Sequence, residues 1–292
     1  MSITEVIKKR KSCRTFNQEH LTPADKKALE DFIGKNSKSI NNSTFEGDQE
    51  INLFILEKGD EEKKMKLDYG VIKGNNTYIL GITKSTPAAR LNYGYVMEKL
   101  VLRATEMGLA TCWIGYFDHD YFNDLKIEEG YKIPGIVVIG YSAEKATLPE
   151  RFLRFTANAS QRLPWDKIFF DYQSKFPLTP QTIKDYSESL EMVRLAPSSS
   201  NTQPWRIYFD QPANEFHFFK KPKNRIYESM GMHELDLGIA MAHFELTSQN
   251  NGLPGSWICH TAGEIKDDSV TAENQAQVPF ADDLQYMISW RP

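Results

Sequence analysis

Apolar residues recur at helical spacing in four places along the chain, and the four fall into two pairs. Leu21-Thr22-Pro23 opens a stretch from Ala24 to Ile33 in which Ala28, Leu29, Phe32 and Ile33 share one face, with proline at a tolerated first-turn position. Leu178-Thr179-Pro180 repeats that opening and predicts a helix from Gln181 to about Arg194, with Ile183, Tyr186, Leu190 and Val193 on its buried stripe. Met97, Leu100, Val101, Ala104 and Met107 form a third stripe, which ends at Gly108, a natural left-handed cap, shortly before Trp113. Met241, Phe244 and Leu246 lead in the same way to Gly252 and Trp257. Both copies read Gly-Leu-x-x-x-Trp, and one offset relates the glycines (252 − 108 = 144) and the tryptophans (257 − 113 = 144). A helix, a cap and a tryptophan in one register argue for internal duplication.

Short β-rich runs complete each half. Ile51 to Leu56, Thr77 to Ile82 and Ile136 to Tyr141 are strand candidates in the first, and Arg206 to Asp210, Glu215 to Phe219 and Gln285 to Trp290 in the second. Gly34 to Gly47 is polar and reads as a loop. The boundary falls near Asp171 to Pro177, giving halves 1–172 and 173–292. Strands and helices mix without a βαβ rhythm, and no G-x-G-x-x-G follows a strand, which disfavours a Rossmann domain. The expected class is α+β, with mixed or antiparallel sheets surrounded by helices.

Composition narrows the function. The 292 residues are 40% hydrophobic and 25% charged, ordinary globular usage, with a net charge of −4. That balance gives no general attraction to nucleic acid or to an anionic membrane, so a small-molecule partner is expected. No apolar run is long enough to cross a membrane and the start carries no apolar signal core, so a cytoplasmic location is expected. Cys13, Cys112 and Cys259 show neither disulfide nor metal spacing, and no metal site is expected.

Two clusters carry candidate chemistry. In Lys8 to Phe16, the side chains of Arg10, Ser12 and Arg14 alternate. A basic run near a chain start is by default a solvated face. In an extended stretch, however, two guanidinium forks and a hydroxyl pointing the same way suit a phosphate dianion. The second cluster is Ala196-Pro197-Ser198-Ser199-Ser200-Asn201-Thr202-Gln203-Pro204-Trp205. A helix end running into a turn would explain its proline and hydroxyls. The full string also offers hydroxyls, two amides and an indole suited to the polar edge and flat face of a heterocycle.

With Gly-Leu-Ala-Thr-Cys-Trp-Ile-Gly at 108–115, these two motifs resemble three hallmarks of the nitroreductase superfamily, and Pro149-Glu150-Arg151-Phe152-Leu153-Arg154 is similar to that family's basic segment after its last core strand. The order departs from the usual one, because the Pro-Ser-Ser turn here follows both other motifs. Ordinary members are homodimers with FMN between subunits, so the resemblance implies a single-chain branch whose two halves mimic the dimer and build one FMN site. The chain would then act as a monomeric pseudo-dimer.

By that resemblance, Arg10, Ser12, Arg14 and Arg154 would hold the FMN phosphate, with Arg151 a weaker candidate. Pro197, Ser198, Ser199, Asn201 and Gln203 would border the ring. Backbone N–H groups around Trp113, Ile114 and Gly115 would face the flavin N5 edge, and Lys73 the pyrimidine end. Chemistry would be ping-pong: NADPH or NADH delivers hydride, then a nitroaromatic, a quinone or another planar acceptor takes it. The flavin carries the reaction, so no catalytic acid or base side chain is required. Phe117, Asp118, Tyr121 and Phe122 are candidates for the mouth, with ordinary packing the competing reading. A protein that binds FMN without turnover, as a store or redox sensor, is the alternative.

Overall fold

A computed structural model describes residues 1–40, 51–57, 72–74, 77–143, 161–223, 225–260, 265 and 283–292. Within them lie α1 (Ile3–Lys9), α2 (Pro23–Ile40), β1 (Asn52–Glu57), β2 (Thr77–Lys84), α3 (Pro87–Glu106), β3 (Ala110–Ile114), β4 (Tyr131–Lys132) and β5 (Ile136–Gly140). They are followed by β6 (Phe169–Asp171), α4 (Ser187–Leu195), β7 (Trp205–Asp210), β8 (Glu215–Lys220), α5 (Arg225–Ser229), α6 (Met232–Asn250), β9 (Ser256–Ile258) and β10 (Gln285–Arg291). The fold is α+β, and the strand candidates all form strands whose ends differ from expectation by no more than two residues.

Two sheets share one strand plan. The first runs β1-β2-β5-β3, with β4 also pairing β2, and the second runs β6-β7-β8-β10-β9. Every pairing is antiparallel except β6 with β7. Setting aside β4 and β6, the order is the same in each, and the last-placed strand carries the motif tryptophan. A single large core joins the two sheets, since Ile79 and Val137 belong to the same buried cluster as Phe218 and Trp290.

Helices α3 and α6 cross at the centre of that core. A Cβ on Gly238 would come 2.0 Å from the Leu91 carbonyl oxygen, and one on Gly94 would come 2.1 Å from that of Leu235. Only glycine lets the backbones approach so closely. The two contacts are reciprocal and obey the motif offset (235 − 91 = 144, 238 − 94 = 144), the pattern of a two-fold contact between equivalent surfaces. α6 shows no clean stripe because nearly every side along it is buried.

Two expectations need correction. The helix α2 continues through Ile40, so residues 34–40 are helical and not a loop, and 41–47 lie outside the described residues. Polar composition without a proline does not stop a helix. The helix expected from Gln181 begins only at Ser187. Ahead of it the Thr179 and Thr182 hydroxyls bond each other at 2.7 Å, the Thr182 N–H donates to Thr179 Oγ1 at 3.3 Å, and Ile183 sits at φ −123°, ψ 50°. Local hydroxyl bonding has won over helix propagation there. Among the described residues no helix is long and apolar enough to cross a membrane.

Candidate functional site

A cleft of about 580 Å³ has residues from positions 12–135 on one side and from 197–239 on the other, within the range of cofactor sites. One wall is Ser12, Arg14, Ile72 and the run Cys112 to Tyr116 that ends β3 and continues past it. The other is Pro197 to Ser200, α5 with Met230, and the first two turns of α6. Tyr116 and Ile226 are 60% and 67% exposed, giving the mouth an apolar rim.

α1 opens with a capping box, in which Ser2 accepts from the Glu5 N–H and Glu5 accepts from the Ser2 N–H, and it closes at Arg10. The chain then runs extended beside β3, with Ser12 bridging Thr111 and the Cys13 N–H donating to the Thr111 carbonyl at 2.9 Å. Alternation buries Cys13 in the core and turns Ser12 and Arg14 into the cleft; Phe16, beyond them, is buried in the same core cluster as Cys13. Arg10 does not line the cleft. Burial pushes its guanidinium down while Glu98 opposes, and its Nε has no hydrogen-bond partner among the described residues.

Arg162, which the sequence reading did not single out, lies close enough to feel Arg10. Burial first, then the charges of Arg10 and Arg194, push it down to about 10. Its guanidinium donates to Asn201 Oδ1 at 3.0 Å and to the Leu195 carbonyl at 3.1 Å. Mutually repelling, desolvated guanidiniums are stabilised by an anion, so the Arg10 and Arg162 pair fits a phosphate. Arg151 and Arg154 lie outside the described residues. Lys73 is exposed and not in the lining; its backbone accepts from the Phe16 N–H and donates to the Arg14 carbonyl, both at 2.9 Å.

The Pro-Ser turn is held in a costly backbone conformation. Ser200, Asn201 and Gln203 have φ of 47°, 56° and 48°, which cost on the order of 1 kcal/mol or more each without glycine. Hydrogen bonds over-determine them. The Gln203 N–H donates to Ser198 Oγ at 2.9 Å, Asn201 Nδ2 donates to the Gln161 carbonyl at 2.6 Å, and the Leu163 N–H donates to Gln203 Oε1 at 2.8 Å. Pro197, Ser198 and Ser199 line the cleft; Asn201 and Gln203 do not, because their amides brace the 161–163 segment against the turn.

Trp113, Ile114 and Gly115 all line the cleft. The Trp113 indole donates to Glu98 Oε2 at 2.8 Å, and Glu98 Oε1 stands 3.0 Å from His243 Nε2. His243 Nδ1 lies 2.9 Å from the Met192 carbonyl, which can only accept, so Nδ1 carries a proton and Glu98 and His243 hold a further one between them. This chain, buried from Glu98 through His243 to Met192, links one wall of the cleft, through α3 and α6, to α4 and hence to the Pro-Ser turn.

Phe117 and Phe122 are buried in the core with Cys13 and Cys112 and do not form the mouth. The α5–α6 wall escaped the sequence reading. Its residues (Ile226, Tyr227, Met230, Met232, Leu235, Asp236, Ile239) have no distinctive spacing in the sequence.

A family model described as "Putative TM nitroreductase" matches residues 2–248. Among solved structures, a putative nitroreductase from Thermotoga maritima MSB8 is 21% identical, covers 90% of each chain and superposes with a TM-score of 0.55. A nitroreductase with bound FMN from Bacteroides fragilis NCTC 9343 is 18% identical over 51% of this chain and 92% of its own, with a TM-score of 0.38. Another with bound FMN, from Desulfitobacterium hafniense DCB-2, is 18% identical over 52% and 96%, also at 0.38. No curated protein sequence matches.

Proposed function

The chain belongs to the TM nitroreductase family, and from that premise we propose that it is an FMN-dependent oxidoreductase that uses NADPH or NADH to reduce small planar acceptors such as nitroaromatics and quinones. The observation that carries this reading is the cleft itself, in which the arginine segment, the end of β3 and the strained Pro-Ser turn face one another. Bound FMN would supply the redox chemistry, taking hydride from the nicotinamide and passing it to the acceptor in a second step.

The chain's own residues do the rest. Arg14 and Ser12, with Arg10 and Arg162 behind them, hold the phosphate. Pro197, Ser198 and Ser199 would border the ring, and the backbone N–H groups of Trp113 to Gly115 would be the donors offered to the charge that reduction brings. Tyr116 and Ile226 exclude water and give the second reactant an apolar surface to stack on. The reciprocal α3–α6 crossing and the shared strand order support two duplicated halves, 1–172 and 173–292, that stand in for a dimer. β6, from the end of the first half, adds a parallel strand to the second half's sheet.

The test is anaerobic. The FMN-loaded protein is mixed with NADPH or NADH and the 450 nm flavin band followed, then a quinone or nitroaromatic is added. Saturable bleaching followed by recovery is expected. A band that NADPH and NADH leave unchanged would show a flavin binder and not an enzyme.

A further inference from the structure

Asp236 presents a feature that the flavin reading leaves unexplained. It stands in the first turns of α6, is 1% exposed, and yet lines the cleft, where it is the only carboxyl among the described lining residues. Its Oδ1 accepts both the Ser199 N–H at 2.9 Å and the Ser199 hydroxyl at 3.2 Å. Its Oδ2 is buried with no hydrogen-bond partner among the described residues. An orphaned buried oxygen is costly, and sites where one persists are commonly sites that a ligand completes.

The neighbourhood fixes what that oxygen wants. His233, one turn earlier, is fully buried; its Nε2 accepts the Lys223 N–H at 3.2 Å, so the ring's proton sits on Nδ1. That Nδ1 faces Asp236 Oδ2 at 4.0 Å, too far to donate, but near enough to favour negative charge on the carboxyl. Burial raises the Asp236 carboxyl above the usual carboxylate range, although His233 and the two Ser199 donors pull the other way. With both Ser199 donors on Oδ1, Oδ2 is the oxygen left for a ligand to meet. Elsewhere the lining near it is apolar, from Met232, Leu235 and Ile239.

Resting on the flavin reading, we propose that Asp236, held by Ser199 and backed by His233, accepts the imide N–H of the flavin ring and so fixes which way the ring lies in the cleft. An oxidised isoalloxazine has one N–H, at its imide nitrogen, so a ring-reading carboxylate has one group to read. Asp236 is thus a positioning and binding residue.

The experiment is a titration of the apoprotein, followed by flavin fluorescence, with riboflavin and with 3-methylriboflavin, which lacks that N–H. FMN is run beside them. Riboflavin should bind roughly tenfold or more tightly than its 3-methyl analogue. Asp236→Asn keeps the acceptor for Ser199 but turns a donor toward the ligand, so it should weaken riboflavin and erase the preference. Equal wild-type affinity for riboflavin and 3-methylriboflavin would overturn the proposal while FMN binding still stood. Absence of binding to any of the three would overturn the flavin reading and this inference together. Should Asp236→Asn fail to fold, the wild-type comparison of the two ligands decides.

Discussion

The two Gly-Leu-x-x-x-Trp copies have the same local plan and opposite surroundings. Each follows a long central helix, each turns on a left-handed glycine (Gly108 at φ 87°, Gly252 at φ 72°), and each docks its indole N–H on a glutamate of that helix, Glu98 or Glu245. Trp113 stands half-buried at the cleft. Trp257 is buried among rings, 5.0 Å from Phe218 and 5.1 Å from Trp290, and its glutamate also accepts the Tyr95 hydroxyl at 2.6 Å. The second copy has been filled with aromatic core where the first stays open. The two motifs thus share the scaffold contacts that fold the chain, while only the first lies at the cleft.

The scaffold half of that comparison breaks most severely at the helix crossing. Gly94→Ala and Gly238→Ala each drive a Cβ into the opposite backbone, at 2.1 Å and 2.0 Å. Each should cost about 3–5 kcal/mol in urea unfolding, and the two should be similar. A large difference between them would show that the crossing is not two-fold. The site half is sharpened by Trp113→Phe against Trp257→Phe. The first leaves Glu98 with His243 as its one hydrogen-bond partner among the described residues and should cost about 1–3 kcal/mol and weaken FMN binding; the second leaves Glu245 its Tyr95 and Gln249 donors, so it should cost less and leave FMN affinity alone.

The smallest effect separates the second half by pH. Burial pushes His217 down to about 4, although Glu215 and Asp210 oppose this, and its Nδ1 is 2.7 Å from Ser289 Oγ. An unfolded histidine takes its proton near 6.5, whereas the folded one resists until about 4. Stability should therefore be full above pH 6.5, fall by roughly 1–3 kcal/mol as pH drops toward 4, and level off below. The urea midpoint of His217→Gln across that range should lose this component; an unchanged pH slope would contradict it.

Much of the fold was legible because its signals are local. Alternation and turn residues marked the strands, and Gly108 and Gly252 marked the helix ends. The site was legible only in part. Ser12, Arg14, Trp113, Ile114, Gly115, Pro197, Ser198 and Ser199 meet at one cleft, as their motifs implied, but Asn201 and Gln203 face inward because a strained turn needs their amides more than the cleft does. Arg162 and Asp236 were invisible for a different reason. Each gains its meaning from a partner far along the chain, Arg10 or Ser199, and no spacing rule brings such pairs together.

The central claim, one flavin site made by both halves, is tested most directly by the stoichiometry of FMN binding, from a spectroscopic titration of the wild type beside Arg14→Ala and Ser199→Pro. The account predicts saturation at one FMN per chain and weaker binding in both variants, although the two substitutions lie on opposite walls of the cleft. Two equivalent sites per chain, or a single site that one of the variants leaves untouched, would contradict it.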